Sequence, residues 1–172
     1  MSSIAVKNLR RCKKCQSLYD NNSSSNKGFC PADGQSHERS NFDYQLTFGI
    51  SERNAQSNWR RCTRCQAIFF NGYQQGRCPA DPDAREPHRA DPARDFRIPY
   101  GRPESEHVRA GWEFCTKCDA LFYAHSQAPE ENHCTAGGEH QAHPDAYRFA
   151  LTHGRPLPVL IDEGTELNPV DE

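Results

Sequence analysis

Core material is what this sequence has least of. Of its 172 residues 35% are hydrophobic with Tyr counted, and one is Met. Ordinary globular domains run to about 45–50% apolar, counted with Gly and without Tyr. No apolar run approaches the roughly 20 residues of a membrane-spanning helix. Met1 to Arg11 lacks the apolar stretch of a secretory leader. These absences lead us to expect a cytoplasmic chain with reduced thiols and no membrane partner, with export by a signal-less route as the alternative. The net charge of -2 carries no global basic field of the kind that marks a nucleic-acid binder. There is no Gly-x-Ser-x-Gly, phosphate loop or dinucleotide fingerprint, and no helical periodicity. A chain so poor in core needs another source of stability, and metal is the common one.

What the sequence has is the same phrase three times. Cys12 and Cys15 lead to Leu18-Tyr19, then Gly28, Cys30-Pro31-Ala32-Asp33 and His37. Cys62 and Cys65 lead to Ile68-Phe69, then Gly76, Cys78-Pro79-Ala80-Asp81 and His88. Cys115 and Cys118 lead to Leu121-Phe122, then Cys134-Thr135-Ala136 and His140. Nine cysteines, three per copy, would leave an orphan in each copy if they paired as disulfides. Three cysteines and one histidine instead complete one tetrahedral zinc site per copy, three in all. The third cysteine and the histidine are separated by six, nine and five residues in turn. His143 rivals His140 in copy three. His140 is preferred because it lies seven residues before Tyr147, as His37 lies seven before Tyr44.

The repeat extends beyond its ligands. Leu9, Trp59 and Trp112 stand three residues before the first Cys of each copy. After each histidine an alternating segment ends in Gly: Tyr44 to Gly49, Phe96 to Gly101, Tyr147 to Leu151 with Gly154. Alternation predicts strands, with each Cys-x2-Cys at a hairpin tip and the third Cys and His in a turn. The predicted domain is 1-154, with repeats at 9-50, 59-101 and 112-154. Residues 155-172 break the pattern: Arg155 stands against Asp162, Glu163, Glu166, Asp171 and Glu172, an acidic tail in which Pro156 to Ile161 could add an edge strand.

Three thiolates and an imidazole fill a tetrahedron, leave no open position for water and make the metal a poor Lewis acid. The zinc is therefore expected to be structural and the protein not an enzyme. His107, His125, His133 and His153 fall outside the matched frame and read as surface residues. Asp81, Asp83, Asp91 and Asp95 read as a solvated face. The aromatic positions flanking the ligands read as core. Arg10, Arg11, Lys13 and Lys14 surround the first knuckle, and Arg60, Arg61 and Arg64 the second, whereas the third has Lys117 beside Glu113 and Asp119. Such residues are either ordinary surface charge or a phosphate-facing patch.

The pattern Trp-x2-Cys-x2-Cys-x2-Leu/Ile-Phe, Gly-x-Cys-Pro-Ala, His, Tyr-x-Leu resembles a tandem repeat of uncharacterised bacterial and fungal proteins. The resemblance covers roughly Leu9 to Gly154. It implies small zinc-ribbon-like β units and brings no activity with it. The chain departs from it at Leu9, at Thr135 and in the longer second loop.

The expected fold is thus all-β: three zinc-ribbon-like repeats closed around a pseudo-threefold axis, β-trefoil-like, because so little apolar material cannot build three cores. Separate zinc-ribbon beads are the alternative. The expected function is a non-catalytic binding or adaptor module for carbohydrate or protein, by fold analogy. The alternative is a nucleic-acid-binding zinc-ribbon protein that uses the basic knuckles.

Overall fold

The computed structural model describes residues 4–49, 53–72, 76–81, 83, 86–125 and 131–154, and the backbone of 160–161 and 165–166. Each repeat contributes a long strand, a short returning strand and a closing strand. These are β1 (Ile4–Arg11), β2 (Leu18–Asp20) and β3 (Asp43–Phe48); β4 (Ala55–Arg61), β5 (Ile68–Phe70) and β6 (Phe96–Pro99); and β7 (Val108–Phe114), β8 (Leu121–Tyr123) and β9 (Phe149–Gly154). All nine join one nearly closed, barrel-like antiparallel sheet. Among the described residues no helix is long and apolar enough to cross a membrane.

Within each repeat the long strand pairs with both of its partners. Its register against the closing strand slips at one point: between Val6 and Leu9, Gln56 and Trp59, Ala110 and Trp112. At that slip stand Asn8, Asn58 and Gly111, with φ of 60°, 72° and 95°. These are residue types that tolerate the left-handed conformation a bulge demands. The bulge turns Leu9, Trp59 and Trp112 inward, and all three are fully buried.

The repeats do not hang as beads. β3 pairs with β6 and with β9, and a bridge from Tyr100 to Phe149 joins the last two closing strands. The returning strands meet cyclically: Tyr19 bridges Ala67, Phe69 bridges Ala120, and Phe122 bridges Ser17. One cluster of buried side chains fills the centre, and it takes matched residues from every copy: Leu9, Trp59 and Trp112; Leu18, Ile68 and Leu121; Tyr44, Phe96 and Phe149; Leu46, Ile98 and Leu151. Sharing one central core eases the shortage of apolar residues; beside it each unit adds only a small buried cluster around its own cysteines, such as Cys62, Cys65, Ala67, Phe69 and Cys78.

The matched register corrects one expectation. Leu9 faces Tyr44, Trp59 faces Phe96, and Trp112 faces Phe149. The counterpart of Tyr44 is therefore Phe149; Tyr147 lies before β9 and is 45% exposed. In the tail, β10 (Leu160–Ile161) pairs with β11 (Thr165–Glu166) as a separate two-stranded ribbon, so this stretch pairs within the tail rather than with the body. Residues 155–159, the rest of the expected edge strand, lie outside the described residues.

Candidate metal centres

The geometry of each centre starts at the tip of its first hairpin. After the second cysteine the backbone turns left-handed at Gln16, Gln66 and Asp119, with φ of 72°, 68° and 66°. The amide of that residue closes the turn onto the first cysteine carbonyl, at 2.9, 2.9 and 2.8 Å. Both sulfurs of the pair are thereby aimed at one point. The third cysteine arrives on its own tight loop, with Gly34, Asp81 and Gly137 bonded back to the carbonyls of Cys30, Cys78 and Cys134.

The structure brings together Cys12, Cys15, Cys30 and His37; Cys62, Cys65, Cys78 and His88; and Cys115, Cys118, Cys134 and His140. All twelve side chains are buried, and within each set the donor atoms lie within 4.8 Å of one another. His143 is exposed and outside the third set, where its Nδ1 accepts the Asp145 amide at 3.0 Å.

The spacings test whether a metal fits. A tetrahedron with zinc–sulfur bonds of about 2.3 Å and a zinc–nitrogen bond of about 2.05 Å puts sulfurs about 3.8 Å apart and sulfur about 3.6 Å from nitrogen. The first and third cysteines of each set lie 3.8, 3.7 and 3.8 Å apart. The second cysteine lies 3.7, 3.4 and 3.5 Å from the histidine Nδ1. A disulfide needs about 2.05 Å, and all nine cysteines are free. The three sets are compatible with metal ions.

Backbone and aromatic groups orient the ligands. The residue after each histidine donates its amide to the first sulfur: Glu38 to Cys12, Arg89 to Cys62, Gln141 to Cys115, at 3.4–3.5 Å. Tyr19, Phe69 and Phe122 stack on His37, His88 and His140, with ring centroids 4.5, 4.6 and 4.8 Å apart. These aromatics do more than fill core. The far nitrogen of each imidazole reaches into the next repeat. His37 Nε2 meets the Cys65 carbonyl and His88 Nε2 the Cys118 carbonyl, both at 3.1 Å; His140 Nε2 meets the Ser17 hydroxyl at 3.2 Å. A carbonyl only accepts, so Nε2 of His37 and His88 carries the proton and Nδ1 is the bare ligand atom.

The thiols are electrostatically crowded. Hydrogen bonds from Cys15 and Cys30 hold Cys12 far below its ordinary range, and Cys62 and Cys115 are held down by the same kind of neighbours. Burial, then bonds with Cys12 and Cys30, pushes Cys15 well up; the bond with Cys12 lifts Cys30 to about 12. In the first and third sets one thiolate forms at the expense of the other two. A divalent cation relieves that competition by accepting all three.

The remaining candidates sort plainly. His107 and His125 are exposed, and His133 is half-buried. His153 is not a surface residue: it follows Phe149 and Leu151 on the inward face of β9 and stacks on Phe42 at 4.3 Å. The expected solvated aspartates include three that brace loops: Asp81 accepts the Glu86 amide at 3.0 Å, Asp95 accepts the Asn58 bulge amide, and Asp91 accepts the Ala93 amide and pairs with Arg61 at 2.8 Å. Most knuckle cations are engaged internally. Arg10 donates to Asn8, and Arg11 to Gln16. Arg60 reaches the Asp91 carbonyl, and Arg61 bonds Gln66. Lys14, Arg64 and Lys117 hold their third-cysteine loops through Asp33, Glu86 and the Gly137 carbonyl. Lys13 is exposed.

A cleft of about 630 Å³ opens between the second and third repeats, lined by Gln56, Phe70, Phe114, Asp119, Asp145, Tyr147 and Phe149 among others. Nothing in the repeat pattern announces it, because it arises where copy three departs from the other two. No family model, curated protein or solved structure matches the chain.

Proposed function

We propose that the protein is a zinc-stabilised binding module, not an enzyme, which takes a carbohydrate or protein ligand in the cleft between its second and third repeats. Zinc is the metal favoured by three thiolates and one imidazole at tetrahedral spacing. Each ligand set is buried and complete, and no fourth-position water is needed to finish the tetrahedron. The metals hold the loops; the cleft does the binding.

The observation that carries the reading is the cleft itself. Phe70, Phe114, Tyr147 and Phe149 give it an apolar, aromatic wall, and Asp119, Asp145, Gln56 and Thr116 give it a few polar groups. That composition is how ligand sites in general are built. The nucleic-acid reading loses its main support, because the knuckle arginines spend their donors on Gln16, Gln66 and Asp91. The test is a screen of the zinc-loaded chain against glycans, proteins, DNA and RNA at physiological ionic strength. A glycan or protein ligand should be found, and Tyr147→Ala should weaken it with zinc content unchanged. Tight, salt-dependent binding to DNA or RNA alone would overturn the reading.

A further inference from the structure

The three interfaces between repeats are built from the same three positions. One is the residue before the first cysteine: Arg11, Arg61 or Phe114. One is the left-handed residue after the second cysteine: Gln16, Gln66 or Asp119. One is the last residue of the returning strand in the neighbouring repeat: Tyr123, Asp20 or Phe70. At two interfaces a guanidinium occupies the junction. Arg11 donates to Gln16 Oε1 at 2.7 Å and lies over the Tyr123 ring at 5.9 Å. Arg61 donates to Gln66 Oε1 at 2.8 Å and lies 3.8 Å from the Asp20 carboxylate.

Among the described residues the third interface has no guanidinium at this junction. Phe114 stands where the arginine would be, edge-on to Phe70 with centroids 6.0 Å apart. Beside it Asp119 replaces the glutamine. Asp119 is 5% exposed; the Gly76 amide donates to its carboxylate, while its Oδ2 is buried with no hydrogen-bond partner. Among the described residues no lysine or arginine pairs with it. The cleft opens at this junction, and the titratable side chains of its lining include Asp119, Asp145 and His143, with no lysine or arginine. A buried carboxylate without a counter-ion is costly unless something supplies the charge.

We propose that this cleft receives a guanidinium group, the arginine side chain of a partner protein, in the place that the chain's own Arg11 and Arg61 hold at the other two interfaces. The inference rests on the reading of the cleft as the module's binding site. The incoming guanidinium donates to Asp119, and its planar face packs on the Phe70, Phe114 and Tyr147 rings. Asp145 at the cleft wall adds charge complementarity. Copy three thus exposes a socket that copies one and two fill from within.

The test is amide NMR of the zinc-loaded full chain titrated with N-acetyl-arginine N-methylamide, its uncharged citrulline counterpart, and a glycan panel. The arginine probe should shift amides around Phe114, Asp119 and Tyr147 saturably, and citrulline should bind at least about tenfold more weakly, as expected for loss of a charge-assisted hydrogen bond. Asp119→Asn should weaken the arginine probe by at least about the same factor, with three zinc ions retained. Phe114→Arg with Asp119→Gln, which rebuilds the Arg11–Gln16 pair, should fill the socket and abolish binding. Equal binding of arginine and citrulline, or shifts elsewhere on the surface, overturns the proposal without any variant. A glycan that shifts these amides while arginine is silent sinks the arginine assignment and leaves the module standing. Silence at the cleft to arginine, to glycans and to every partner from the wider screen removes both.

Discussion

His37 binds on two sides of a repeat boundary: its Nδ1 faces Cys15 in its own set, and its Nε2 donates to the Cys65 carbonyl in the next, at 3.1 Å. His88 repeats the link to Cys118, and His140 closes the ring on Ser17. Each ligand set therefore also positions the knuckle of its neighbour. Local metal binding becomes a property of the whole ring.

Metal removal should for that reason unfold the chain as one unit. Structural zinc contributes about 10–16 kcal/mol in small zinc peptides at neutral pH, against a total stability of about 5–15 kcal/mol for a domain. A chelator under reducing conditions should abolish the β circular dichroism in a single transition. An unchanged spectrum and melting point after complete zinc loss would show that the shared core stands without metal.

Freshly purified, reduced protein should carry three zinc ions per chain, one for each buried set. Elemental analysis checks this directly; one or none refutes it. Cys65→Ser should remove one ion and lower stability by several kcal/mol, about the cost of losing a structural metal ligand. His143→Ala should leave all three ions and change stability by no more than about 0.5 kcal/mol, as surface substitutions do.

Gly28 and Gly76 stand two residues before the third cysteine with φ of 85° and 64°. A Cβ on Gly28 would collide with the Cys65 carbonyl, and one on Gly76 with the Cys118 carbonyl. These are the carbonyls that accept the ligand histidines. Gly28→Ala and Gly76→Ala should each destabilise by about 2–4 kcal/mol, from left-handed strain and overpacking together. Thermal unfolding measures the loss. Copy three has Asn132 at this position, whose Oδ1 accepts the His140 amide, and its histidine meets a serine hydroxyl instead of a carbonyl. Asn132→Gly should therefore not stabilise the third site.

Much of this was legible in the residues, and the limits have physical causes. Cys-x2-Cys spacing, matched apolar positions and period-two alternation locate the ligand sets, the hairpins and the one shared core. The alternation points to a strand from Tyr147, whereas the strand begins at Phe149, because both are aromatic and loop length alone separates them. His153 could have been found, since it continues the inward alternation of Phe149 and Leu151. Asn8, Asn58 and Gly111 carried the bulge signal, an Asn/Asn/Gly triplet before the buried Leu or Trp. The socket at Phe114 and Asp119 could not be read before the ring was closed, because its members come from two repeats.

The arginines around the second knuckle make the last prediction. Arg61 bonds Gln66 and Asp91 and is 23% exposed; Arg60 holds the Asp91 carbonyl, and Arg64 pairs with Glu86 at 3.4 Å. Arg61→Ala should cost about 1–3 kcal/mol, because it strips charge-assisted hydrogen bonds from partly buried acceptors. Arg64→Ala should cost at most about 1 kcal/mol, as exposed pairs do. Changing all three to Ala should thus lower the melting point. It should leave affinity for DNA and RNA weak at physiological salt, as in the parent protein. A phosphate-facing patch would behave the other way: the triple variant would keep most of its stability, lose tight binding and flatten the salt dependence that counterion release imposes.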